Sequence, residues 1–242
     1  MKKAIIVGAT SGIGMEVAKI LLQNNWQVGV AGRRVARLNE LVEAFPQQVL
    51  TATIDVCAPN AVEAWNDLAQ RLGGVDLYLH CSGVGWYNPE LDAEKEILTA
   101  ITNAEGFIRM TTCAYHYFKK TGRKGQIAAI SSIAGTKGLG PAPAYSATKK
   151  LQHTYLEALA QLAYTEGTDV CFTDIRPGFV RTDFLSGANF PMQMDPTTVA
   201  HAIVKAINCR KRIVIIDWRY RLLVALWRCI PRCLWEKLKI GL

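Results

Sequence analysis

The chain has 242 residues, of which half are hydrophobic and a fifth are charged, and its formal net charge is +8. That length favours one α/β domain, and the hydrophobic content excludes intrinsic disorder, a disulfide-stapled miniprotein and a fibrous repeat. Residues 205–242 hold 10 Lys and Arg but only two acidic residues, Asp217 and Glu236. Residues 1–204 hold 18 basic and 18 acidic residues, and this neutral balance argues against a broad nucleic-acid groove.

Short apolar runs alternate with helical patterns along the chain, which is typical of β-α-β units and a parallel sheet. The pattern predicts strands at residues 4–7, 27–31, 49–55, 75–80, 125–131, 170–175 and 212–216. It predicts helices at residues 13–23, 35–44, 60–72, 93–120 and 145–165. We therefore predict an α/β, Rossmann-type doubly wound parallel sheet with flanking helices in residues 1–216. An amphipathic helical tail follows in residues 217–242.

A glycine-rich turn follows the first strand, at the edge of the sheet where ligands bind in this architecture. Glycines let the backbone approach a pyrophosphate, and the N-terminus of the next helix offers free N–H groups to it. The alternative is an ordinary strand–helix turn. The candidate cofactor-binding residues of this turn are Gly8, Thr10, Ser11, Gly12, Ile13 and Gly14.

The end of the second strand reads Ala31-Gly32-Arg33-Arg34, without the carboxylate that usually meets a free ribose 2′-hydroxyl. Guanidinium groups suit a 2′-phosphate, which favours NADP(H) over NAD(H). The alternative is a solvated basic start to the next helix.

Tyr145 and Lys149 are four residues apart and therefore share one face of a helix. An ammonium group beside a phenol favours the phenolate and lowers the pKa of the tyrosine, which makes it a better acid–base catalyst. Ser132, just beyond the fifth strand, offers a hydroxyl to orient a substrate oxygen. A solvated surface pair is the alternative for Tyr145 and Lys149 taken alone.

The glycine turn, with the spacing Gly-x-x-x-Gly-x-Gly, resembles the classical short-chain dehydrogenases/reductases, although Val7 stands where that family has Thr. The resemblance implies Ser132, Tyr145 and Lys149 as catalytic residues, with Asn103 in a proton relay and with Tyr145 and Lys149 also touching the cofactor. His80-Cys81-Ser82-Gly83 replaces the usual Asn-Asn-Ala-Gly. The further cofactor-binding residues that the resemblance implies are Asp55, Val56, Gly83, Pro177, Gly178, Val180 and Thr182.

The seven cysteines show neither a disulfide framework nor a metal-ligand spacing, so we expect reduced thiols, a cytoplasmic location and no metal site. A catalytic pair of His80 and Cys81 is disfavoured, because neighbouring residues of a strand point to opposite faces.

Two segments suggest partners. The loop at residues 183–196 is rich in apolar side chains, with Trp86, Tyr87 and Leu139 as candidate neighbours, and suits a lid over an apolar substrate; simple packing is the alternative. The tail interleaves Trp with Arg and Lys, which fits a membrane surface, a partner subunit or a cover over the substrate mouth. Apolar residues on several faces of the long helices predict a homodimer or homotetramer.

These observations predict an NADP(H)-dependent oxidoreductase that transfers a hydride between nicotinamide and the carbonyl or alcohol of an apolar small molecule. A non-catalytic dinucleotide-binding sensor and a membrane-tethered scaffold are the alternatives.

Overall fold

The computed structural model describes residues 1–182 and 191–239. Its centre is a parallel seven-stranded sheet with the order β3-β2-β1-β4-β5-β6-β7. The strands are β1 (Lys3–Val7), β2 (Gln27–Gly32), β3 (Val49–Thr53), β4 (Leu77–His80), β5 (Gly125–Ile130), β6 (Val170–Arg176) and β7 (Ile213–Ile215). The predicted doubly wound α/β fold is confirmed.

Helices cover both faces of the sheet. They are α1 (Gly12–Gln23), α2 (Val35–Ala44), α3 (Ala61–Arg71), α4 (Ala93–Ala100), α5 (Phe107–Thr121), α6 (Pro143–Glu166), α7 (Pro196–Asn208), α8 (Trp218–Cys229) and α9 (Arg232–Trp235). Strand residues alternate between two cores: Ile6 packs with α1, α2, α7 and α8, whereas Ile5 and Val7 pack with α3, α5 and α6.

The strand order reverses at β1, which pairs with β2 on one side and with β4 on the other. Val7 lies beside Ala31 in one neighbour and beside His80 in the other. The loops that leave β1 and β4 therefore diverge and open a crevice at the carboxyl ends of the strands, where this architecture binds its ligands.

Three features were not predicted. Helix α7 packs against α1 and contributes Val199, Ile203 and Ile207 to the core. The helix expected at residues 93–120 is divided by a π-helical segment, Ile101–Gly106. A 3₁₀ turn, Ile133–Thr136, follows β5.

The tail forms two short helices. Helix α8 ends at Cys229 and α9 begins at Arg232, on either side of Pro231, because proline cannot continue the hydrogen-bond pattern of a helix. Within residues 1–182 and 191–239, every helix is too short or too polar to cross a bilayer. The predicted apolar loop lies largely outside the described residues.

Candidate functional site

The turn after β1 brings the main chains of β1 and β4 into contact. Gly8 has a φ of +94°, and a Cβ at this position would lie 2.6 Å from the main-chain nitrogen of Ser82. A Cβ on Gly14 would lie 2.3 Å from the carbonyl oxygen of Gly8. Both distances are too short for a side chain, so these positions require glycine.

Helix α1 begins at this turn, at the carboxyl end of β1. Ser11 precedes the helix, and its side chain makes no capping hydrogen bond to it. The first turn of α1 carries no acidic residue, so the N–H groups and dipole of the helix present an uncompensated positive end. Ile13 packs on the core, and a Cβ on Gly12 would lie 3.1 Å from the methyl carbon of Thr182. The turn and the loop after β6 thus face each other across the crevice.

A basic side chain from the end of β2 reaches the glycine-rich turn. The guanidinium of Arg34 donates to the Thr10 hydroxyl from Nε at 3.2 Å and from Nη2 at 2.9 Å, and to the Ser11 hydroxyl at 2.5 Å. Arg33 is exposed next to it. This end of the crevice therefore carries the positive charge that the sequence predicts.

The turn after β3 is held against the long helix. A carboxylate oxygen of Asp55 accepts the N–H of Cys57 at 3.0 Å, and the carbonyl of Val56 accepts Nη1 of Arg109 at 2.6 Å. A Cβ on Gly106 would lie 2.7 Å from Val56, so glycine allows this close packing. Asp55 and Val56 thereby lie at the same edge of the sheet as the glycine-rich turn.

Asn103 lies fully buried in the π-helical segment and fixes the chain beyond β4. Its side-chain oxygen accepts the N–H of Val84 at 2.8 Å, and its side-chain nitrogen donates to the carbonyl of Val84 at 2.6 Å. A Cβ on Gly83 would lie 3.2 Å from the Asn103 oxygen and 3.6 Å from Nζ of Lys149. Gly83 therefore lets this segment approach the catalytic candidates.

Ser132, Tyr145 and Lys149 come together where β5 ends and α6 begins. The Ser132 side chain hydrogen bonds to Tyr145, and the Ser132 hydroxyl also accepts the N–H of Ala134 at 3.1 Å. Nζ of Lys149 lies 5.6 Å from the centre of the Tyr145 ring. The three side chains are thus neighbours, which a solvated surface pair would not be.

Lys149 is 4% exposed, which is unusual for a lysine. Its ammonium donates to the carbonyl of Ile130 at 3.0 Å and to the side-chain oxygen of Gln152 at 3.1 Å. Burial lowers the pKa of Lys149 to about 8, although the nearby Asp174 carboxylate and Cys81 oppose that shift.

The phenol pKa differs from the sequence-based expectation. Burial raises the pKa of Tyr145 to about 12, and the hydrogen bond from Ser132 opposes that shift only in part. The ammonium of Lys149 lies over the face of the ring, 5.6 Å from its centre, and burial of the phenol is the dominant influence on its pKa. The protonated phenol is accordingly the favoured form of Tyr145.

A buried polar network beneath the site was not predicted. Nε2 of His153 lies 3.1 Å from the Ser131 hydroxyl, which donates to Asp174, and Asp174 pairs with Arg176 at 2.6 Å. Burial lowers the pKa of His153 to about 4, so its ring is neutral at pH 7. A carboxylate inside the apolar run of β6 was the sequence signal for this network.

His80 and Cys81 do not form a reactive pair. The Tyr78 hydroxyl lies 2.8 Å from Nδ1 of His80, whose ring packs edge-on against Phe107. Burial lowers the pKa of His80 to about 3 and raises the pKa of Cys81 to about 12. A neutral imidazole beside a protonated thiol lacks the thiolate needed for nucleophilic catalysis.

The loop after β6 closes one side of the crevice. The carbonyl of Pro177 accepts the N–H of Ile133 at 3.1 Å, and Val180 forms an isolated bridge with Met194. Gly178 lies flat against the ring of Tyr220 in α8, since a Cβ there would be 2.2 Å from the ring. The tail therefore supports this loop from behind.

The end of the tail packs beside Tyr145. Nε1 of Trp235 donates to the carbonyl of Gly138 at 2.7 Å, and Nζ of Lys137 donates to the carbonyl of Ile230 at 2.9 Å. These bonds hold the segment that connects Ser132 with Tyr145. The residues that pack together here are Ala134, Leu139, Tyr145, Trp227, Ile230 and Trp235.

Among the predicted mouth residues, Leu139 is buried in this cluster, whereas Trp86 and Tyr87 are exposed. Met192 is exposed and Met194 is buried, whereas Phe184, Leu185 and Phe190 lie outside the described residues.

Comparison with known proteins identifies the family. The family model for short chain dehydrogenases matches residues 2–191. An uncharacterized oxidoreductase of Myxococcus xanthus is 28% identical over 243 residues, which cover 97% of this chain and 95% of that protein.

Solved structures share the fold. An alcohol dehydrogenase from the archaeon Thermococcus sibiricus, complexed with 5-hydroxy-NADP, superimposes with a TM-score of 0.79 at 24% identity and covers 91% of this chain and 97% of its own. A 3-ketoacyl-(acyl-carrier-protein) reductase from Brucella melitensis, complexed with NADH, has a TM-score of 0.80 at 22% identity. The match covers 89% of this chain and 96% of the reductase chain.

Proposed function

Because the chain belongs to the short-chain dehydrogenases, we propose that it is an NADP(H)-dependent oxidoreductase that acts on the carbonyl or alcohol of an apolar small molecule. The observation that carries this proposal is the grouping of Ser132, Tyr145 and Lys149 beside the glycine-rich turn. A sensor or scaffold without turnover would have no need of this buried ammonium beside a phenol.

The crevice fits a nicotinamide dinucleotide. The contacts at Gly8 and Gly14 leave room only for main chain, and the start of α1 has the polarity that a pyrophosphate requires. We assign the adenine end to Asp55 and Val56, and the nicotinamide end to Gly83, Tyr145, Lys149 and the loop from Pro177 to Thr182.

The preference for NADP(H) is supported by Arg34. Its guanidinium lies at 2.5–3.2 Å from the hydroxyls of Thr10 and Ser11, beside the turn expected to hold the pyrophosphate. A planar cation at this place complements a 2′-phosphate, and residues 31–34 offer no carboxylate to bind a free ribose hydroxyl. Proteins of this fold are complexed with both cofactor types, one structure with 5-hydroxy-NADP and another with NADH.

The chain's own groups handle the proton. When bound, the cofactor supplies hydride to a carbonyl carbon, or takes it up from an alcohol. In the reducing direction the Tyr145 hydroxyl gives its proton to the substrate oxygen while the Ser132 hydroxyl orients that oxygen. The Lys149 ammonium stabilises the phenolate that remains, and we assign Asn103 to the resupply of the proton, as the family resemblance implies.

An apolar substrate is favoured by the wall beside Tyr145. Leu139, Trp227, Ile230 and Trp235 surround this side of the phenol, with the two tryptophan rings edge to face at 5.4 Å. A wall of this composition gains from burying apolar surface and offers few partners to a charged substrate.

Substitution of the phenol tests the reaction. We expect Tyr145→Phe to lower turnover at least ~100-fold, because the general acid is lost, and to leave NADPH affinity nearly unchanged. NADPH consumption over a panel of ketones and aldehydes measures turnover, and Tyr164→Phe, at an 89% exposed position, is the control. Wild-type turnover in Tyr145→Phe would contradict the assignment, and NADPH binding without turnover of any compound would favour the sensor.

An exposed stripe on α8 supports a second proposal, contact with an anionic membrane surface. Trp218, Leu222 and Leu226 are 70%, 55% and 57% exposed and recur at every fourth residue, so they lie on one side of the helix. Arg221 and Arg228 are exposed on the same helix and complement anionic headgroups.

Flotation with vesicles tests this contact. We expect the wild type to float with phosphatidylserine vesicles and the double variant Leu222→Ser, Leu226→Ser to remain behind. Phosphatidylcholine vesicles should capture neither protein, because the arginines would then have no charge to bind. Equal flotation of the wild type and the variant would contradict the proposal. If the variant instead loses self-association, the exposed stripe on α8 binds a second copy of the chain.

Self-association as a homodimer or homotetramer is supported by a second exposed apolar surface. Ile97, Leu98 and Ile101 extend from α4 into the π-helical segment and are 59%, 45% and 37% exposed. Helix α4 also packs on α6, which exposes Leu162 near its end. The free cysteines of the chain suit a reducing compartment such as the cytoplasm.

A further inference from the structure

Gln152 joins two groups of the candidate site. Its side chain is fully buried, its nitrogen donates to the main-chain carbonyl of Asn103 at 2.9 Å, and its oxygen accepts from the ammonium of Lys149 at 3.1 Å. The side-chain amide therefore spans the space between the π-helical segment and the reacting centre.

We propose that Gln152 is a positioning residue whose amide ties the Lys149 ammonium to the carbonyl of Asn103. This inference rests on the proposed function, because it assigns the geometry of the same catalytic lysine. Nζ of Lys149 has three N–H groups, and Gln152 and Ile130 accept two of them. These two hydrogen bonds fix the direction of the third N–H group of Lys149, which is left to bind a group in the crevice.

The bridge also determines how protons move. Hydroxyl groups and water both donate and accept, so they can pass a proton along a chain, whereas a side-chain amide keeps its N–H and its carbonyl at opposite ends. Gln152 occupies the position between Asn103 and Lys149 with such an amide. Proton resupply between these two groups must therefore go around Gln152.

The other charged groups near Lys149 are paired or neutral, so they should not shift its titration midpoint in the Gln152 variants. Asp174 is held by Arg176 and lies near His153, while His80 is neutral at pH 7. The titratable or charged groups that face Lys149 from its own helix, β4 and β6 are Tyr145, His80, Cys81 and Asp174.

Two variants of Gln152 should move the titration of Lys149 in opposite directions. Gln152→Glu places a carboxylate beside the ammonium and should raise its titration midpoint by roughly one pH unit or more. Gln152→Met keeps the shape but removes the acceptor, and should lower the midpoint by about one unit. The midpoint is measured by NMR on protein labelled with ¹³C at the lysine Cε, with the Lys149 signal assigned from its absence in Lys149→Met.

A matched control separates this effect from a loss of packing. Gln126 is also buried and donates to the Thr173 hydroxyl at 2.8 Å, but it makes no contact with Lys149. Gln126→Met should leave the Lys149 midpoint unchanged. If Gln152→Met fails to fold, Gln152→Glu alone decides, since an unmoved midpoint in that variant overturns the proposal.

The alkaline limb of the pH profile of kcat/KM should move in the same directions as the NMR midpoint. Movement of both variants in one direction would also overturn the proposal. The NMR titration needs neither substrate nor cofactor, so it tests Gln152 even if no carbonyl compound is turned over.

Discussion

At the scale of single residues, Lys149 illustrates how burial alters chemistry. An exposed lysine holds its proton up to pH 10, whereas Lys149 has its pKa lowered to about 8. Between pH 8 and about pH 10, the folded chain therefore binds fewer protons at Lys149 than the unfolded chain does. By linkage, the free energy of unfolding rises with pH through that window.

We predict that the wild type gains about 1 kcal/mol of unfolding free energy from Lys149 between pH 7.5 and pH 9. Urea unfolding of wild type and Lys149→Met at both pH values measures this gain as the difference between their pH dependences. Cys81 and Tyr145, whose raised pKa values act in the opposite sense, are present in both proteins, so their contribution cancels in that difference. Parallel pH dependences of the two proteins would show that Lys149 keeps its ordinary pKa.

Arg34 is the residue on which the proposed preference for NADP(H) depends. Loss of a charge-assisted hydrogen bond costs about 1.5–3 kcal/mol, so we expect Arg34→Ala to weaken NADPH binding about 10- to 100-fold. NADH binding should change less than about threefold, since NADH has no 2′-phosphate. Fluorescence titration measures both affinities, with Arg37→Ala on exposed α2 as the control. Equal loss of NADPH and NADH affinity would contradict the assignment.

At the scale of elements, the tail is part of the folded body. Tyr220 in α8 is fully buried, and its hydroxyl accepts the N–H of Phe179 at 3.1 Å and donates to the carbonyl of Met192 at 3.0 Å. Phe179 lies just before the candidate lid at residues 183–196, and Met192 lies in its last part. Helix α8 thus anchors the two ends of that loop.

We predict that Tyr220→Phe lowers the free energy of unfolding by about 1–3 kcal/mol, because buried polar groups lose a partner. Tyr164→Phe, on the exposed end of α6, should change it by less than about 0.5 kcal/mol. Urea unfolding monitored by circular dichroism measures both. An unchanged stability in Tyr220→Phe would indicate that water replaces the hydroxyl.

The elements that the sequence predicts best have strong local signals. Short apolar runs locate the seven strands, and the spacing of Tyr145 and Lys149 places them together on α6. The contacts of Gln152 and His153 could not be predicted, because they depend on how α6 packs against β5 and β6. The phenol pKa was predicted in the wrong direction, because burial is a property of the assembled crevice.

At the scale of the whole molecule, two exposed apolar surfaces lie on different helices. One follows α8 and carries Trp218 with arginine neighbours, which favours an anionic surface. The other follows α4 around Ile97 and lacks that basic character, which favours a second copy of the chain. The two proposals can therefore be tested separately.

We predict that Ile97→Arg converts the assembly to a single chain, because a charge at the centre of an apolar contact is left unpaired on association. Val35→Arg, at a similarly exposed apolar position on α2, should keep the wild-type mass. Size-exclusion chromatography with light scattering measures the mass. An unchanged mass in Ile97→Arg would place the contact elsewhere.

The hydrogen bond from Trp235 to Gly138 has a practical consequence for anyone who purifies this enzyme. Only seven residues would separate an affinity tag fused after Leu242 from the indole that steadies the segment between Ser132 and Tyr145. A tag before Met1 joins the opposite edge of the sheet, where β1 starts at Lys3. Kinetic constants are therefore best taken from protein tagged at its amino end.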